Sequence, residues 1–331
     1  MRLSPSEKAE IIRIVKRSDL GVNRTLKKLG IHKRTFYNWY ERYSREGEEG
    51  LKPRRQSRIQ WNSLPQELKN LVVEIALDAP ELSSRELAIK ITDEHQIFIS
   101  ESSVYRILKA NGLVEPCEHD FLAAADQFRN KTQFVNQMWQ TDFTYFKIIG
   151  WGWYYLSTVL DDYSRYIIHW ELCSNMERGD VKRTIACAMK KAKLTKDNAP
   201  VLLSDNGPCY IAKELKTYLN SNFNIRQIHG RPLHPQTQGK IERYHRSMKN
   251  VVKLNHYFYP DQLIEAVEQW VDYYNNKRYH ESLNNLTPAD VYFGRGEKIL
   301  AARKQIKQKS FIKRRQIYHN YCSVNLKSVI L

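Results

Sequence analysis

The sequence predicts a multidomain protein that begins with all-α domains, continues with one α/β domain and ends with a helical segment and a basic tail. Three observations lead to this fold class. Helical spacing and capping signals fill residues 1–114, apolar and polar residues alternate from Gln137 onward, and basic residues are concentrated at both ends. A chain of 331 residues is long enough for two or three domains, each with its own core.

The composition is that of a soluble globular protein without a membrane partner. Hydrophobic residues make up 42% of the chain, and no apolar run reaches the length of a membrane span. Charges interrupt the N-terminus where a signal peptide needs an apolar stretch. The cysteines form no CxxC pair, so we expect neither a disulfide framework nor a cysteine zinc site, and reduced thiols in the cytosol fit best.

The net charge of +17 is located almost entirely at the two ends of the chain. Residues 1–60 hold 16 Lys and Arg against 7 Asp and Glu, and residues 294–331 hold 10 against 1. The middle is therefore close to neutral. Basicity that is confined to the ends suggests contact with phosphate groups there.

The first 50 residues predict a helix-turn-helix domain. A capping box at Ser4 to Glu7, a turn at Gly30 and a polar, basic helix after it form this pattern, in which the second helix lies in the DNA major groove. An ordinary three-helix bundle with a hydrated basic surface is the alternative. Candidate DNA contacts lie on the basic helix and in a basic linker over residues 51–63: Lys33, Arg34, Thr35, Asn38, Arg54 and Arg55.

Residues 64–114 predict a second helix-turn-helix domain, with or without a β-wing. A helix from Leu64 to Leu77 is followed by a second capping box at Ser83 to Glu86 and a helix that opens at Ser100. The near-neutral charge is as compatible with a structural or dimerising role as with DNA contact. Residues 115–134 are expected to form a connector.

Residues 135–255 predict an α/β domain with a mixed sheet. Alternating β-branched and aromatic residues indicate strands, and three- to four-residue spacing of apolar residues indicates helices. Three strands are predicted first, over residues 138–146, 154–160 and 166–172, followed by a helix over 177–193. A strand over 201–205 then ends at Asp205, and a helix over 212–219, a strand over 225–228 and a helix over 237–253 complete the domain.

Three acidic residues of this domain are candidates for one metal site. Asp142 stands in the first strand, Asp205 ends a later strand, and Glu242 lies on the last helix. Ligands of open sheets collect at strand ends, and three carboxylates at one place repel one another unless divalent cations lie between them. Taken alone, Glu242 on a helical face with His245, Arg246 and Lys249 is more typical of a solvated salt-bridge partner.

Five stretches between Trp139 and Gly294 match a known family in its order: WQTDFTYF, VLDDYSRYIIHWEL, LLSDNGPCYI, HPQTQGKIERYHRSMK and DYYNNKRYHESLNNLTPADVYFG. With them the chain resembles DDE insertion-sequence transposases, which have a retroviral-integrase-type catalytic core of the ribonuclease H-like fold. Thirty-six residues separate Asp205 from Glu242, close to the family's spacing. The His-His-Cys-Cys zinc module of retroviral integrases is absent from the sequence, which disfavours that branch.

The resemblance implies a transposase that binds the terminal inverted repeats of a mobile element and catalyses DNA strand cleavage and strand transfer. Asp142, Asp205 and Glu242 would hold two Mg²⁺ or Mn²⁺ ions. One ion would activate a water or a DNA 3′-hydroxyl, and the other would stabilise the leaving oxygen. Lys249 matches a basic position that the family uses against terminal DNA, and Arg246 is a candidate on the same helix.

The implied partners are double-stranded DNA, as element ends and as target, and further copies of this chain. Joining two ends requires both in one complex, so we expect at least a dimer on paired ends, in a prokaryotic cytoplasm and on the nucleoid. A domesticated or catalytically silent transposase that acts as a DNA-binding protein is the alternative. A DNA-binding regulator would leave the three acids without a purpose, and a ribonuclease for RNA–DNA hybrids would not need the basic front end.

The remaining polar candidates have structural interpretations. Asp161 and Asp162 are predicted to be turn residues and partners of Arg165, and His234 and His245 to be structural or phosphate contacts. Residues 256–295 predict a helical extension. Residues 296–331 form a basic tail that is either a disordered, solvated run or a track along DNA.

Overall fold

The structure, a computed structural model, describes residues 4–52, 60–114, 132–229 and 238–327. It divides into two compact units. The first contains the described residues up to Ser63 and the end of the last helix from Tyr318, and the second contains residues 64–317. No helix in the described parts of the chain combines the length and the apolar character needed to cross a bilayer.

The first unit contains the three predicted helices, α1 (Pro5–Arg17), α2 (Val22–Lys28) and α3 (Lys33–Glu46). Ser4 and Glu7 form the predicted capping box at the start of α1. Gly30 has a φ of +67°, a left-handed conformation that favours glycine, and so makes the turn before α3. Ile12, Leu26 and Phe36 bring the three helices together in one small core.

The second unit begins with a helical part, α4 (Gln66–Asp78), α5 (Ser84–His95) and α6 (Glu101–Ala110). The second predicted capping box, Ser83 with Glu86, opens α5. Between α5 and α6 the chain is extended and buries Ile99 in the core of this part. Residues 60–114 contain no strand, and any wing after Val114 lies outside the described residues.

The predicted mixed sheet has five strands: β1 (Met138–Ile148), β2 (Gly152–Asp161), β3 (Ile167–Cys173), β4 (Val201–Ser204) and β5 (Arg226–His229). They lie in the order β3-β2-β1-β4-β5. The first three pair antiparallel as a meander, whereas β4 pairs parallel to β1 and β5 parallel to β4. Helix α7 (Arg178–Ala192) follows β3. Helices α8 (Pro208–Ile211) and α9 (Lys213–Phe223) follow β4, and α10 (Gly239–Val252) follows β5.

The alternation of side chains along β1 places a core on each face of the sheet. Trp139 packs with residues of α7 and α9 on one face. Phe146 and Ile148 pack on the other face with α10 and with α11 (Pro260–Asn276). Asp142 has the same parity as Phe146, so it lies on the face that α10 covers.

The prediction for α10, the last helix of the α/β domain, is correct in its core stripe and wrong for one residue. Ile241, Tyr244, Met248 and Val252 are buried, as their spacing predicts. His245, which the spacing assigns to the solvated face, is also buried. The described part of α10 begins at Gly239, and residue 237, where the sequence predicts the start, lies outside the described residues.

After the short helix α12 (Pro288–Tyr292), the segment predicted as a basic tail is a 32-residue helix, α13 (Gly296–Lys327). Its basic residues are partly internal. The Arg303 guanidinium lies 2.6 Å from a carboxylate oxygen of Asp93 on α5, and Arg314 donates to the Phe98 carbonyl. Over these residues α13 packs against the second helical domain, so the prediction of a disordered, solvated run is wrong there.

Candidate active site

The two aspartates of the predicted metal site lie on neighbouring strands at the same level of the sheet. The parallel pairing of β1 and β4 sets Gln140 opposite Leu203. Asp142 and Asp205 each lie two residues further along, so the register brings them side by side where β4 ends. Burial raises the pKa of Asp205 and the negative charge of Asp142 raises it further, while the Gly207 N–H opposes both effects. The sheet thus brings two carboxylates together.

Gly207 donates a hydrogen bond to the Asp205 carboxylate and leaves room for it. Its N–H donates to Asp205 Oδ1 at 3.0 Å. A Cβ added at Gly207 would lie 3.0 and 3.2 Å from the two carboxylate oxygens. Its φ of −61° suits any residue, so the glycine provides room for the carboxylate and not a special backbone conformation.

His245 of α10 contacts the Asp142 carboxylate. Its Nδ1 lies 3.3 Å from Asp142 Oδ2, and its Nε2 lies 3.3 Å from the Thr158 hydroxyl. Thr158 is the residue of β2 that pairs with Asp142 across the sheet. One imidazole therefore connects α10 to both strands and fixes the direction of the Asp142 side chain, a structural role of the kind predicted.

Glu242 does not join the two aspartates in a compact group. Its side chain is exposed on the first turn of α10, one turn before His245 and on the same side of the helix. Within the described ranges, no three His, Cys, Asp or Glu side chains are clustered closely enough to hold a metal ion. Two predicted ligands are adjacent, and the third lies on the helix that packs over them.

A buried polar cluster fastens the first turn of α10 to the sheet. Lys240 Nζ donates to a carboxylate oxygen and to the carbonyl of Asp162, each at 2.7 Å. Gln140 donates from Nε2 to the other Asp162 oxygen at 2.7 Å and accepts from the Ile241 N–H at 3.1 Å. We call Gln140, Asp162, Lys240 and Ile241 the α10 clamp. Lys240 and Ile241 lie immediately before Glu242, so their bonds to Gln140 and Asp162 set the position of the helix start.

Asp161 and Asp162 lie at the turn between β2 and β3, as the sequence predicts, but the prediction of Arg165 as the ion-pair partner of Asp162 is wrong. Asp161 accepts from the Ser164 N–H at 2.8 Å and from the Asn136 N–H at 2.8 Å, and so closes the turn between β2 and β3. Burial raises the pKa of Asp161. The ion pair of Asp162 is made with Lys240, where the sequence predicts Arg165.

Sequence reasoning missed His229, Gln140 and Lys240. His229 ends β5 beside Ser204 of β4, and its Nδ1 lies 3.0 Å from the Asp205 carbonyl oxygen. The predicted last strand stops one residue short of this histidine. All three residues act through partners that are distant in sequence, so only the strand order could have identified them.

The predicted DNA contacts that the structure describes in the first unit are all exposed. Phe36 is buried in the core, whereas four candidates on α3 are exposed: Lys33, Arg34, Thr35 and Asn38. Arg54 and Arg55 of the linker and His234 before α10 lie outside the described residues.

On α10, Arg246 is exposed and Lys249 is half-buried. The Lys249 ammonium lies 4.5 Å from the centre of the Tyr145 ring. Burial and the neighbouring Lys253 lower the pKa of Lys249, and Asp142 opposes them. Lys249 is therefore close enough to Asp142 for their charges to interact, beside the candidate metal site.

Family comparisons match both parts of the chain. Integrase core domains match residues 133–235 and 224–288. Homeodomain-like domains match residues 2–52 and 35–108. The five-stranded core is thus a ribonuclease H-like integrase core behind helix-turn-helix domains, and cores of this type use divalent metals.

Curated relatives include two insertion-sequence proteins and a retroviral polyprotein. The putative transposase InsK of insertion sequence element IS150 from Escherichia coli (strain K12) is 28% identical over 156 residues, 47% of this chain and 54% of that protein. The transposase of IS629 from Shigella sonnei is 29% identical over 184 residues, 51% of this chain and 57% of that protein. The Gag-Pro-Pol polyprotein of Mason-Pfizer monkey virus is 26% identical over 120 residues, 36% of this chain and 6% of the polyprotein.

The chain thus spans about half the length of the insertion-sequence relatives that it matches. The matched segments and the fold agree on both parts of the molecule, the helix-turn-helix domains and the core. The chain therefore has an integrase core domain behind homeodomain-like domains, and it resembles insertion-sequence transposases in the part of the chain that they share.

Proposed function

We propose that this protein is a DNA transposase that binds the terminal inverted repeats of a mobile element and catalyses metal-dependent strand cleavage and strand transfer. The observation that carries the proposal is the placement of the Asp142 and Asp205 carboxylates at adjacent strand positions of an integrase core. Glu242 is the proposed third acid, because α10 lies over the same face of β1.

The donor set suits two Mg²⁺ or Mn²⁺ ions. Asp142 and Asp205 offer only oxygen atoms, and their mutual repulsion requires a counter-charge. When bound, such ions increase the acidity of an attacking water or 3′-hydroxyl and neutralise the leaving oxygen. The chain's own contribution is to hold the ligands: His245 orients Asp142, Gly207 orients Asp205, and the α10 clamp positions the turn that carries Glu242.

The proposed DNA surface has two parts. The exposed face of α3, with Arg34 and Asn38, reads the element end, and Arg246 and Lys249 hold the terminal phosphates beside the acids. Both element ends have to be present in one complex, so the working form is at least a dimer. The proposed location is the bacterial cytoplasm, on DNA.

One observation favours a second candidate function, that of a catalytically silent transposase that only binds DNA. Among the described residues, no three acidic or other metal-binding side chains form a cluster. A silent protein would keep the helix-turn-helix surface and lack cleavage under all metal conditions, so the same experiment distinguishes the two functions.

The test uses duplexes that carry the inverted repeats flanking this gene. We expect the wild-type protein to cleave and join them with Mg²⁺ and not with EDTA. Asp205→Asn should lower cleavage by about 10³-fold, roughly 4 kcal/mol of transition-state stabilisation, while end binding changes less than about twofold. Asp197→Asn, which changes an exposed acid in the turn before β4, is the matched control.

Three results would count against the proposal. Equal losses of binding and cleavage in Asp205→Asn would make Asp205 a structural residue. An equally inactive Asp197→Asn would show that the losses are not specific to the site. Binding without cleavage by the wild type, with both Mg²⁺ and Mn²⁺, would identify the silent protein.

A further inference from the structure

Two aromatic rings on the sheet are exposed close to the candidate active site. Tyr145 on β1 is 51% exposed and Trp153 on β2 is 52% exposed. Their ring centres lie 5.4 Å apart in an edge-to-face arrangement. Single exposed aromatic side chains are common, but two in contact beside a candidate active site suggest a binding surface.

Two lysines of α10 lie over the tyrosine of this pair. The ammonium groups of Lys249 and Lys253 lie 4.5 and 5.9 Å from the centre of the Tyr145 ring. Two like charges over one ring repel each other, an arrangement that an anionic group between them would relieve. We call these four residues, Tyr145, Trp153, Lys249 and Lys253, the aromatic–lysine patch.

The patch lies at a short and definable distance from the two aspartates. Tyr145 follows Asp142 by three residues on the same strand, which corresponds to roughly 10 Å. Adjacent nucleotides of one DNA strand are about 3.4 Å apart along the helix. An unpaired strand can extend further per nucleotide, so the patch is at most about three nucleotides from a phosphate held at Asp142.

We propose that the aromatic–lysine patch binds unpaired nucleotides at the end of the DNA, with bases stacked on Tyr145 and Trp153 and phosphates on Lys249 and Lys253. This inference rests on the proposed transposase function and adds to it the state of the DNA at the site. A paired duplex covers the faces of its bases, whereas an unpaired strand exposes a face that a ring can contact. Exposed rings beside cationic groups fit that partner, because each nucleotide brings both a base and a phosphate.

The test compares two duplexes of the same sequence, one blunt and one with a three-nucleotide 3′ overhang that carries 2-aminopurine. Binding is measured with the full chain in EDTA, so that the DNA is not cut. Stacking on an aromatic side chain is worth about 1–3 kcal/mol per base, so we expect the wild type to bind the overhang duplex about tenfold more tightly and to quench its fluorescence.

Four variants locate the effect. Tyr145→Leu and Trp153→Leu should reduce the preference to less than about twofold while affinity for the blunt duplex is kept. Tyr145→Phe retains a ring and should retain the preference. Tyr163→Leu removes another exposed tyrosine, in the turn at the other end of β2, and is the matched control. Exposed rings contribute little to the core, and circular dichroism melts verify that each variant is folded.

A wild type that binds both duplexes equally would overturn the inference, and so would a Tyr145→Leu protein that keeps the preference. A Tyr145→Leu protein that loses self-association with unchanged DNA preference would identify the patch as a contact between copies of the chain. Cleavage of the blunt duplex with Mg²⁺ is measured in parallel. Intact cleavage without the preference refutes this inference alone, and the preference without cleavage refutes the proposed function alone.

Discussion

At the scale of single residues, the placement of the Asp205 carboxylate depends on the absence of a side chain at Gly207. The Asp205 carboxylate occupies the space that a side chain at position 207 would need. The residue that accommodates this candidate metal ligand is therefore a glycine with an ordinary backbone conformation. Because its φ angle is one that any residue can adopt, the glycine is needed for the room it leaves to the Asp205 carboxylate and not for the backbone fold.

The first prediction concerns this glycine. Gly207→Ala should leave the thermal midpoint almost unchanged, and it should lower Mg²⁺-dependent cleavage by about tenfold or more, since small displacements of catalytic groups are costly. Gly179→Ala is the matched control, because a Cβ there meets nothing within 4 Å. Full activity in Gly207→Ala would show that the position of the Asp205 carboxylate is not critical.

The same scale shows why some residues could be predicted and others could not. Asp142, Asp205 and Glu242 were found because their spacing and flanking letters match a family. The contact of His245 with Asp142 could not be predicted, because positions 242, 245 and 249 lie on adjoining faces of one helix, and only packing decides which is buried. The contact of His245 with the Thr158 hydroxyl joins residues that are distant in the sequence, so it depends on the tertiary structure.

At the scale of elements, the first turn of α10 depends on the α10 clamp. Asp162 is almost fully buried, and Lys240 is the cation that pairs with it. Burying a carboxylate without such a partner is costly, so the ion pair and the Gln140 hydrogen bonds together fix the helix start. The position of Glu242 follows from this attachment.

The second prediction is a double-mutant cycle on the clamp. Lys240→Met and Asp162→Asn should each slow cleavage by about tenfold, and the double variant should be no slower than either, since all three lose the same ion pair. Lys190→Met, an exposed lysine on α7, is the control. Losses that multiply in the double variant would show that the two residues act independently of each other.

Elements were predicted well where the pattern is local and long. The alternation along β1 to β3 and the helical stripe of α7 gave correct types and bounds within a few residues. The four-residue helix α8 was missed, because so short an element has no periodicity. The long helix α13 was predicted as a tail, because its partners on α5 and at Phe98 are about 210 residues away in the sequence.

At the scale of the whole molecule, charge and domain order separate the proposed DNA-reading surface from the candidate active site. The basic first domain exposes the four candidate DNA contacts on α3, and the nearly neutral core contains the three candidate acids. The order of the domains and the mixed sheet were predictable from the change in periodicity at Gln137. The packing of the second helical domain on α13 was not, since it depends on the pairing of Arg303 with Asp93.

The central claim is that Glu242 completes a metal site with Asp142 and Asp205, and a change of ligand atom tests it most directly. Sulfur is a softer ligand than oxygen and suits Mg²⁺ poorly, whereas Mn²⁺ tolerates it better. We therefore expect Glu242→Cys to lose cleavage with Mg²⁺ and to regain a measurable part of it with Mn²⁺, as Asp142→Cys and Asp205→Cys should. Glu268→Cys, on an exposed position of α11, should stay active with both metals. A Glu242→Cys protein that is fully active with Mg²⁺ would contradict the claim. So would a loss of cleavage in Glu242→Cys that is the same with both metals while the two aspartate variants recover with Mn²⁺.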